Sequence, residues 1–303
     1  MRFAIPIPQY VPDGEPDPAG RRDYLARAEA LGFDSAWTME QVLGTAPVLS
    51  AIETMTFAAA CTERLRLGCV VFVLPLHNPV HLAKALSTLD QLSGGRLEVG
   101  VGTGGRHRMF SAFGVTPDHL VGRFNEALRV MKALWTEPEV TVAGRFWQLD
   151  GASIAPRPVQ EPHPPIWFGG SHPDALRRAV RHGDGFFGAG SQTTAQFAEQ
   201  VRVVRAALDE EGRDPASFRL AKRIYLALDD NADRARERMR DALRQVYGAQ
   251  DMTPVAVLGS PEACVQGLRE VADAGAELLL LNTLFDEAEQ MERLAAEVIP
   301  QLA

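Results

Sequence analysis

The sequence is poor in cysteine and carries no excess of positive charge, and each shortage excludes a class of protein. Of its 303 residues only Cys61, Cys69 and Cys264 are cysteines, and they form no CxxC pair. All three lie in apolar stretches, so we expect buried, unreactive thiols rather than a redox or metal centre. The formal net charge of −8 argues against nucleic acid or an anionic membrane as a partner. It still allows an anionic cofactor, because a local group of backbone N–H donors can hold a phosphate.

Long hydrophobic runs are also missing. No apolar run approaches the roughly 18 residues that a membrane span requires. The N-terminal stretch MRFAIPIP is too short, and too interrupted by proline, to be the hydrophobic region of a signal peptide. We therefore expect a cytoplasmic protein with no membrane partner. Hydrophobic residues make up 46% of the sequence and charged residues 23%, which is a globular composition.

Short β-rich segments alternate with longer amphipathic segments along the whole chain. The predicted strands are Phe3–Pro8, Phe33–Thr38, Leu65–Val73, Leu97–Val101, Ile166–Phe168, Gly185–Gly188, Arg219–Leu228 and Glu277–Asn282. Strands that alternate with helices predict an α/β fold with a parallel sheet. Eight such units favour closure into a (β/α)₈ TIM barrel. An open doubly wound sheet is the alternative that periodicity alone leaves open.

One irregular stretch interrupts this alternation, at about residues 139–165, between the fourth and the fifth βα units. It contains a predicted hairpin, Val140–Val142 followed by Phe146–Leu149, and continues into proline-rich segments. We interpret it as an insertion that wraps the barrel rather than as a linker. Residues 1–303 are therefore predicted to form a single barrel domain.

Glycine-rich loops follow three of the predicted strands, at the end where barrel enzymes place their active sites. The loop GVGTGG follows the fourth strand. Gly169, Gly170 and Ser171 follow the fifth strand and precede a predicted helix, where free N–H groups and the helix dipole attract an anion. This pattern predicts phosphate binding, with simple helix capping by Ser171 as the alternative. Gly190 and Ser191, in the loop after the sixth strand, strengthen the phosphate interpretation.

Two further polar features lie near predicted strand ends. Glu40 follows the apolar second strand, where a carboxylate is costly unless it has a partner or a chemical role. A helix cap or an ion pair is the structural alternative. His77 and His81 are four positions apart, but an Asn-Pro pair separates them and no further ligand accompanies them. We therefore predict no metal site.

Two longer motifs identify a family. The first is LDQLSGGR at residues 89–96, which leads into GVGTG, and the second runs from PRPVQ at 156–160 through PPIW and GG to GDG at 183–185. On these motifs the chain is similar to the luciferase-like monooxygenase superfamily over most of its length. The resemblance implies a (β/α)₈ barrel with an insertion and a homodimer. It also implies FMN or the deazaflavin coenzyme F420 across the C-terminal mouth of the barrel.

The resemblance further implies where each part of the cofactor lies. The ring would lie against the end of the third strand, where the family's non-proline cis peptide bond would fall at Val70–Val71 and form a bulge. Thr103 and Gly104 would also contact the cofactor. The residues that would hold its phosphate are Gly169, Gly170, Ser171, Gly190 and Ser191.

The same resemblance suggests which residues handle protons and substrate. Glu40 and His107 are the predicted catalytic residues, because each has a plausible titration range and location. Gln9, Gln41 and His77 are predicted to line the substrate pocket. Gln41 stands where many relatives carry a histidine, so acid–base catalysis by that histidine is unavailable here.

The helix sequence GRFNEAL at residues 122–128 and the compact length resemble the F420-dependent branch, which implies hydride transfer between the deazaflavin and a small organic substrate. Gly105 and Gln192 replace an acidic and a basic residue of the sugar-phosphate dehydrogenase branch, so a sugar phosphate is not the expected substrate. An FMN-dependent monooxygenase with a separate reductase and a non-catalytic flavin-binding protein remain alternatives. A hydrolytic or isomerising barrel would need a metal or a carboxylate pair, and the sequence shows neither clearly.

Overall fold

The computed structural model describes residues 1–11, 15, 17–105, 108–248 and 250–302. Its strands are β1 (Arg2–Pro6), β2 (Ser35–Thr38), β3 (Arg66–Val73), β4 (Leu97–Gly102), β5 (Val140–Ala143), β6 (Gln148–Ala152), β7 (Ile166–Gly169), β8 (Gly185–Gly188), β9 (Arg219–Leu228), β10 (Val257–Gly259) and β11 (Leu278–Asn282). Its α-helices are α1 (Pro18–Ala30), α2 (Ala51–Cys61), α3 (Pro79–Ser93), α4 (Leu120–Thr136), α5 (Pro173–His182), α6 (Thr194–Glu210), α7 (Ala232–Tyr247), α8 (Pro261–Asp273) and α9 (Glu287–Arg293).

Eight of the strands form a closed parallel barrel, which confirms the predicted fold. Their order is β9-β11-β1-β2-β3-β4-β7-β8, and β8 pairs in turn with β9. This last pairing, for example Phe187 with Ala221, excludes the open doubly wound sheet. The short strand β10 pairs with β9 outside the ring. It was not predicted, because three residues are too few to show a periodic pattern.

The chain divides into two compact units. The first comprises Met1–Pro8, Ala19–Trp37 and Trp167–Ala303, and the second comprises Gln9–Pro18 and Thr38–Ile166. The core of the first unit contains three buried aromatic side chains, Trp37, Trp167 and Phe187, whose ring centroids lie 4.9 to 6.1 Å apart with their edges toward neighbouring faces. Such edge-to-face pairs add to the stabilisation from burial itself.

Asp90 of the first family motif contacts the PRPVQ segment of the second motif in the second unit. The buried carboxylate of Asp90 accepts hydrogen bonds from the backbone N–H groups of Val159 and Gln160 at 2.7 and 3.0 Å. The Gln160 side chain donates to Asp90 at 2.8 Å and accepts from Arg66 at 3.0 Å. These contacts fasten the segment 139–165 to helix α3.

The predicted hairpin is present between α4 and β7 along the chain. Strands β5 and β6 pair antiparallel, with Val142 opposite Leu149. Helix α4 supports the turn, because the Glu126 carboxylate accepts hydrogen bonds from the N–H groups of Phe146 and Trp147 at 2.9 and 2.8 Å. A charged acceptor of this kind satisfies backbone donors that the short hairpin leaves unpaired.

The cysteine prediction is confirmed at two of its three positions. Cys69 and Cys264 are buried free thiols, whereas Cys61 is half-buried. Burial raises the pKa of Cys264 to about 12 and raises that of Cys69 well above its ordinary value, so both stay protonated and unreactive. Among the described residues, no helix is long and apolar enough to cross a membrane. Nor does any group of three or more His, Cys, Asp or Glu side chains in this part of the chain have the arrangement of a metal site.

Candidate active site

Glu40 and His77 form a hydrogen-bonded pair in the second unit. Glu40 lies two residues beyond β2, and its Oε1 is 2.7 Å from Nε2 of His77. Its other oxygen accepts a hydrogen bond from the N–H of Val73 at 2.7 Å. The Glu40 side chain is 7% exposed and that of His77 23%, so solvent reaches the pair mainly through the histidine. Sequence reasoning named both residues but did not predict their contact.

Strand β3 carries the predicted bulge next to this pair. The Val70–Val71 peptide bond is cis, and the register between β3 and β4 shifts between Cys69 and Phe72. Both predictions are confirmed. Val70 and Val71 are half-exposed in a strand whose preceding residues Leu67–Cys69 are buried. The bulge therefore presents an apolar, accessible surface of the kind that a planar ring can contact.

A glycine on the adjacent strand makes room for this bulge. A Cβ atom at Gly100 of β4 would lie 2.0 Å from the carbonyl oxygen of Cys69 and 3.4 Å from the Val71 side chain. Real Cβ atoms do not approach a carbonyl oxygen so closely. The first glycine of the GVGTGG loop thus serves β3 packing, and it is not itself part of an exposed loop.

Thr103 and Gly104 follow β4 at its C-terminal end. Gly104 is exposed and has a φ of +69°, a conformation that suits glycine. A Cβ atom there would lie 2.7 Å from the Val73 side chain. Thr103 is half-buried. The absence of a side chain at Gly104 therefore lets Val73 pack closely against the backbone of this residue.

Gln9 binds backbone in the second unit. Its side-chain amide donates to the carbonyl oxygens of Met39 and Leu49 at 3.0 and 2.8 Å and accepts from the N–H of Met39 at 2.6 Å. Because all three bonds go to main-chain groups, Gln9 fixes the segment that positions Glu40. Its predicted place in a substrate pocket stays a prediction.

Gln41 lines an open groove of about 460 Å³ in the same unit, together with apolar residues that include Val42, Leu43 and Leu49. Its amide packs against Gly44, where a Cβ atom would meet Nε2 at 2.5 Å. Val42 and Leu43 are half-exposed to solvent, at 52% and 47%. The residue that replaces the family's histidine thus lies at an apolar surface. His107, the second predicted catalytic residue, lies outside the described residues.

The loop after β7 in the first unit differs from expectation in one respect. Gly169, Gly170 and Ser171 precede helix α5, but the N-cap is His172, whose Nδ1 accepts a hydrogen bond from the N–H of Asp174 at 3.2 Å. The alternative that Ser171 caps the helix is therefore wrong, because the helix starts one residue later than the sequence suggested. With the cap supplied by His172, any anion would be bound by N–H groups of the exposed loop.

The loop after β8 is held by a buried lysine. Nζ of Lys222, on β9, donates to the carbonyl oxygens of Ala189 and Gln192 at 3.0 and 2.9 Å and, at 3.4 Å, to that of Arg223. The loop ends at Thr193, the N-cap of α6 in a capping box. Lys222 is 2% exposed, and burial, with a smaller contribution from Arg223, lowers its pKa to about 7.

The basic pair on β9 was missed by sequence reasoning. Lys222 and Arg223 stand in the strand sequence RLAKRIYLAL, and two adjacent cations inside an otherwise apolar run are the signal that could have found them. The guanidinium of Arg223 donates to the hydroxyls of Tyr225 and Tyr247 at 2.6 and 3.2 Å. Although Gln192 replaces a basic residue, the loop after β8 therefore still has a neighbouring cation.

Residues 1–255 match the luciferase-like monooxygenase family. The chain belongs to this family. The resemblance that the two motifs indicated is confirmed, and with it the prediction of a luciferase-like oxidoreductase.

Relatives within the family differ in the cofactor that their names state. The chain is 32% identical over 234 residues to an F420-dependent glucose-6-phosphate dehydrogenase of Kineococcus radiotolerans. The aligned region covers 74% of this chain and 68% of that protein. It is 28% identical over 255 residues to an FMNH₂-dependent dimethylsulfone monooxygenase of Pseudomonas putida, covering 82% of this chain and 65% of that protein. The chain thus spans about two thirds of the length of each of these two relatives.

A solved structure with a similar sequence length has the same fold. The monooxygenase RslO1 of Streptomyces bottropensis superposes with a TM-score of 0.85 over the whole of both chains, at 24% sequence identity. This likeness supports the luciferase-like barrel architecture.

Proposed function

We propose that the chain is an F420-dependent oxidoreductase that transfers a hydride between the deazaflavin and a small organic substrate. The choice of F420 over FMN is carried by one observation, the 32% identity to an F420-dependent dehydrogenase over 74% of this chain. The reaction class agrees with the Glu40–His77 pair, which can exchange a proton beside an apolar surface.

The second unit fits the ring of such a cofactor. The half-exposed Val70 and Val71 form an apolar surface at the β3 bulge, and the exposed backbone of Gly104 carries no side chain. When bound, the deazaflavin ring would supply the hydride donor or acceptor. The protein would hold this ring through van der Waals contacts with Val70 and Val71 and with the backbone of Thr103 and Gly104.

The first unit fits the phosphate of the cofactor. Gly169, Gly170 and Ser171 form a loop whose helix is capped by another residue, so the loop N–H groups can turn to an anion. Gly190 is buried, and Ser191 is half-buried and offers a hydroxyl. We propose that these residues bind the phosphate, as the family resemblance implies.

We propose that Glu40 and His77 handle the proton that accompanies the hydride. The contact of 2.7 Å between Glu40 Oε1 and His77 Nε2 is a hydrogen bond that joins the two side chains. The Val73 N–H fixes the other Glu40 oxygen, which orients the carboxylate. His77 in this way supplies the imidazole that Gln41 cannot.

Direct titration decides between the two cofactors. The purified, ligand-free protein is titrated in parallel with F420 and FMN, with binding followed by tryptophan fluorescence and by calorimetry. The proposal expects tight binding of F420 and weak binding of FMN. A gain of the absorbance of oxidised F420 on addition of a ketone, enone or imine to the reduced cofactor would then identify the substrate class. If neither cofactor binds, the proposal is wrong.

The FMN-dependent monooxygenase is the second candidate, and the relative from Pseudomonas putida favours it. This candidate expects FMN to bind better in its reduced form, oxygen to be consumed, and a separate reductase to be needed. For either candidate we propose a homodimer, on the family resemblance. Light scattering then gives a mass near twice the 33.0 kDa of the chain.

A further inference from the structure

The loop that follows β8, which contains Gly190 and Ser191, contacts the basic pair Lys222 and Arg223 on β9. A Cβ atom at Gly190 would lie 2.8 Å from Nε of Arg223 and 2.9 Å from Cε2 of Tyr225. The guanidinium therefore packs directly against the loop backbone, and only glycine at position 190 allows this approach. Arg223 is half-buried, so part of its side chain is exposed to solvent. We propose that Arg223 binds the phosphate oxyanion of a ligand held by the Gly190–Ser191 loop.

Arg223 is better suited to this role than its neighbour on the strand. Successive side chains on a strand leave it on opposite sides. Nζ of Lys222 donates three hydrogen bonds, to the backbone carbonyl oxygens of Ala189, Gln192 and Arg223. An ammonium group has three donors, so Lys222 fixes the shape of the loop and has none left for an anion. A guanidinium has five donors in a planar fork that matches phosphate.

Two tyrosines hold the guanidinium in place. Tyr225 and Tyr247 accept hydrogen bonds from Nη2 of Arg223, and their hydroxyls are 2.7 Å apart. Burial raises the pKa of Tyr225 well above its ordinary value, so this hydroxyl stays neutral. A neutral hydroxyl orients a guanidinium without cancelling its charge. These two contacts therefore leave Arg223 positioned and still able to attract an anion.

The inference rests on the proposed function, because it names the residue that would recognise the phosphate of the cofactor. A phosphorylated substrate presents the same oxyanion, so the experiment must separate the two sources. In this proposal the cation comes from β9 and not from the loop itself.

The test compares phosphorylated ligands with ligands that lack the phosphate. Wild type, Arg223→Gln and the control Arg219→Gln are titrated with FMN and riboflavin, and with F420 and its phosphate-free deazariboflavin. Arg219 is an exposed arginine at the start of the same strand. We expect Arg223→Gln to weaken binding of the phosphorylated ligands about 10- to 100-fold, as expected for loss of a charge-assisted hydrogen bond. Binding of riboflavin and of the deazariboflavin should not change, and Arg219→Gln should match wild type.

Inorganic phosphate separates the two sources. If the Arg223→Gln variant loses its preference for phosphorylated cofactors, the anion is the cofactor's. If cofactor preference is kept but calorimetric binding of inorganic phosphate to the cofactor complex is lost, the anion belongs to the substrate, and Arg223 still binds it. Both results support the inference.

Three results would overturn it. One is that Arg223→Gln keeps both the cofactor preference and phosphate binding, in which case the proposed function stands and only Arg223 is misassigned. Another is that Arg223→Gln weakens the binding of phosphorylated and phosphate-free ligands equally, which would show that Arg223 has a structural role. The third concerns Arg223→Lys, made in case the glutamine variant does not fold: equal weakening of phosphorylated and phosphate-free ligands in this variant would again show a structural role. A wild-type protein that binds none of the four ligands would contradict the proposed function, and phosphate titration would still decide on Arg223.

Discussion

Gly100→Ala tests whether β4 needs a glycine beside the β3 bulge. The added Cβ would lie 2.0 Å from the carbonyl oxygen of Cys69, more than 1 Å inside ordinary contact distance. The obstacle is backbone within a paired strand, so it cannot rotate away as a flexible side chain would. The two strands must separate, or the bulge must move.

The size of the effect follows from the cost of overpacking a close-packed interior. Such insertions typically cost about 1–3 kcal/mol, and a contact with fixed backbone places this one near the upper end, at about 3 kcal/mol. For a chain of this length that loss lowers Tm by about 5 °C. Cofactor affinity should fall as well, because Val70 and Val71 form the proposed ring surface on the displaced strand.

Urea unfolding and F420 titration measure the two effects. Gly122→Ala is the matched control, since a Cβ there meets only the Phe146 ring at an ordinary 3.6 Å. Gly122 lies in helix α4, so alanine should stabilise by about 0.5–1 kcal/mol. An unfolding free energy of Gly100→Ala equal to wild type would refute the argument that the bulge depends on this glycine.

Three further predictions concern Glu40, which pairs with His77, and the buried polar side chains of Gln9 and Lys222. Glu40→Gln should lower kcat about 10²- to 10⁴-fold while the Kd for cofactor changes less than twofold; normal turnover in this variant would remove Glu40 from proton transfer. Gln9→Leu should cost about 2–4 kcal/mol in urea unfolding, because three backbone groups lose their partner, and a change below about 0.5 kcal/mol would count against that role. For Lys222, the folded pKa of about 7 lies below the unfolded value near 10.4, so the unfolded chain binds more protons between these values. The unfolding free energy of wild type relative to Lys222→Met should therefore rise with pH from about 7 to 10, by at most about 1.4 kcal/mol per pH unit. A pH-independent difference would show that the three carbonyl acceptors keep Lys222 charged.

Much of the fold could be predicted from local pattern. Strands that are buried on both faces read as short apolar runs between glycines, so all eight barrel strands were found with ends a residue or two away. Phe33 is an example, because it is buried but precedes the paired segment of β2, which starts at Ser35. The hairpin at Val140–Ala143 was found from its turn glycine, whereas β10 was too short to show a pattern.

Less of the candidate site could be predicted, because its contacts join residues that are distant in sequence. Glu40 and His77 are 37 positions apart, and their pairing depends on how the ends of β2 and β3 lie together. The cap of α5 falls on His172 and not Ser171, a difference of one residue that only the helix start decides.

By itself, the sequence determined the barrel, its hairpin and the family, because periodicity and motif spacing are local properties of the chain. The motif residues Asp90 and Gln160 identify the family, but only the tertiary structure shows that they fasten one segment to another. Only the tertiary structure, likewise, shows that Arg223 packs against Gly190 and that Lys222 donates hydrogen bonds to the same loop. Side-chain contacts of this kind depend on strand register and on which face of a strand each residue occupies. One sequence does not determine these two properties closely enough to predict individual hydrogen bonds.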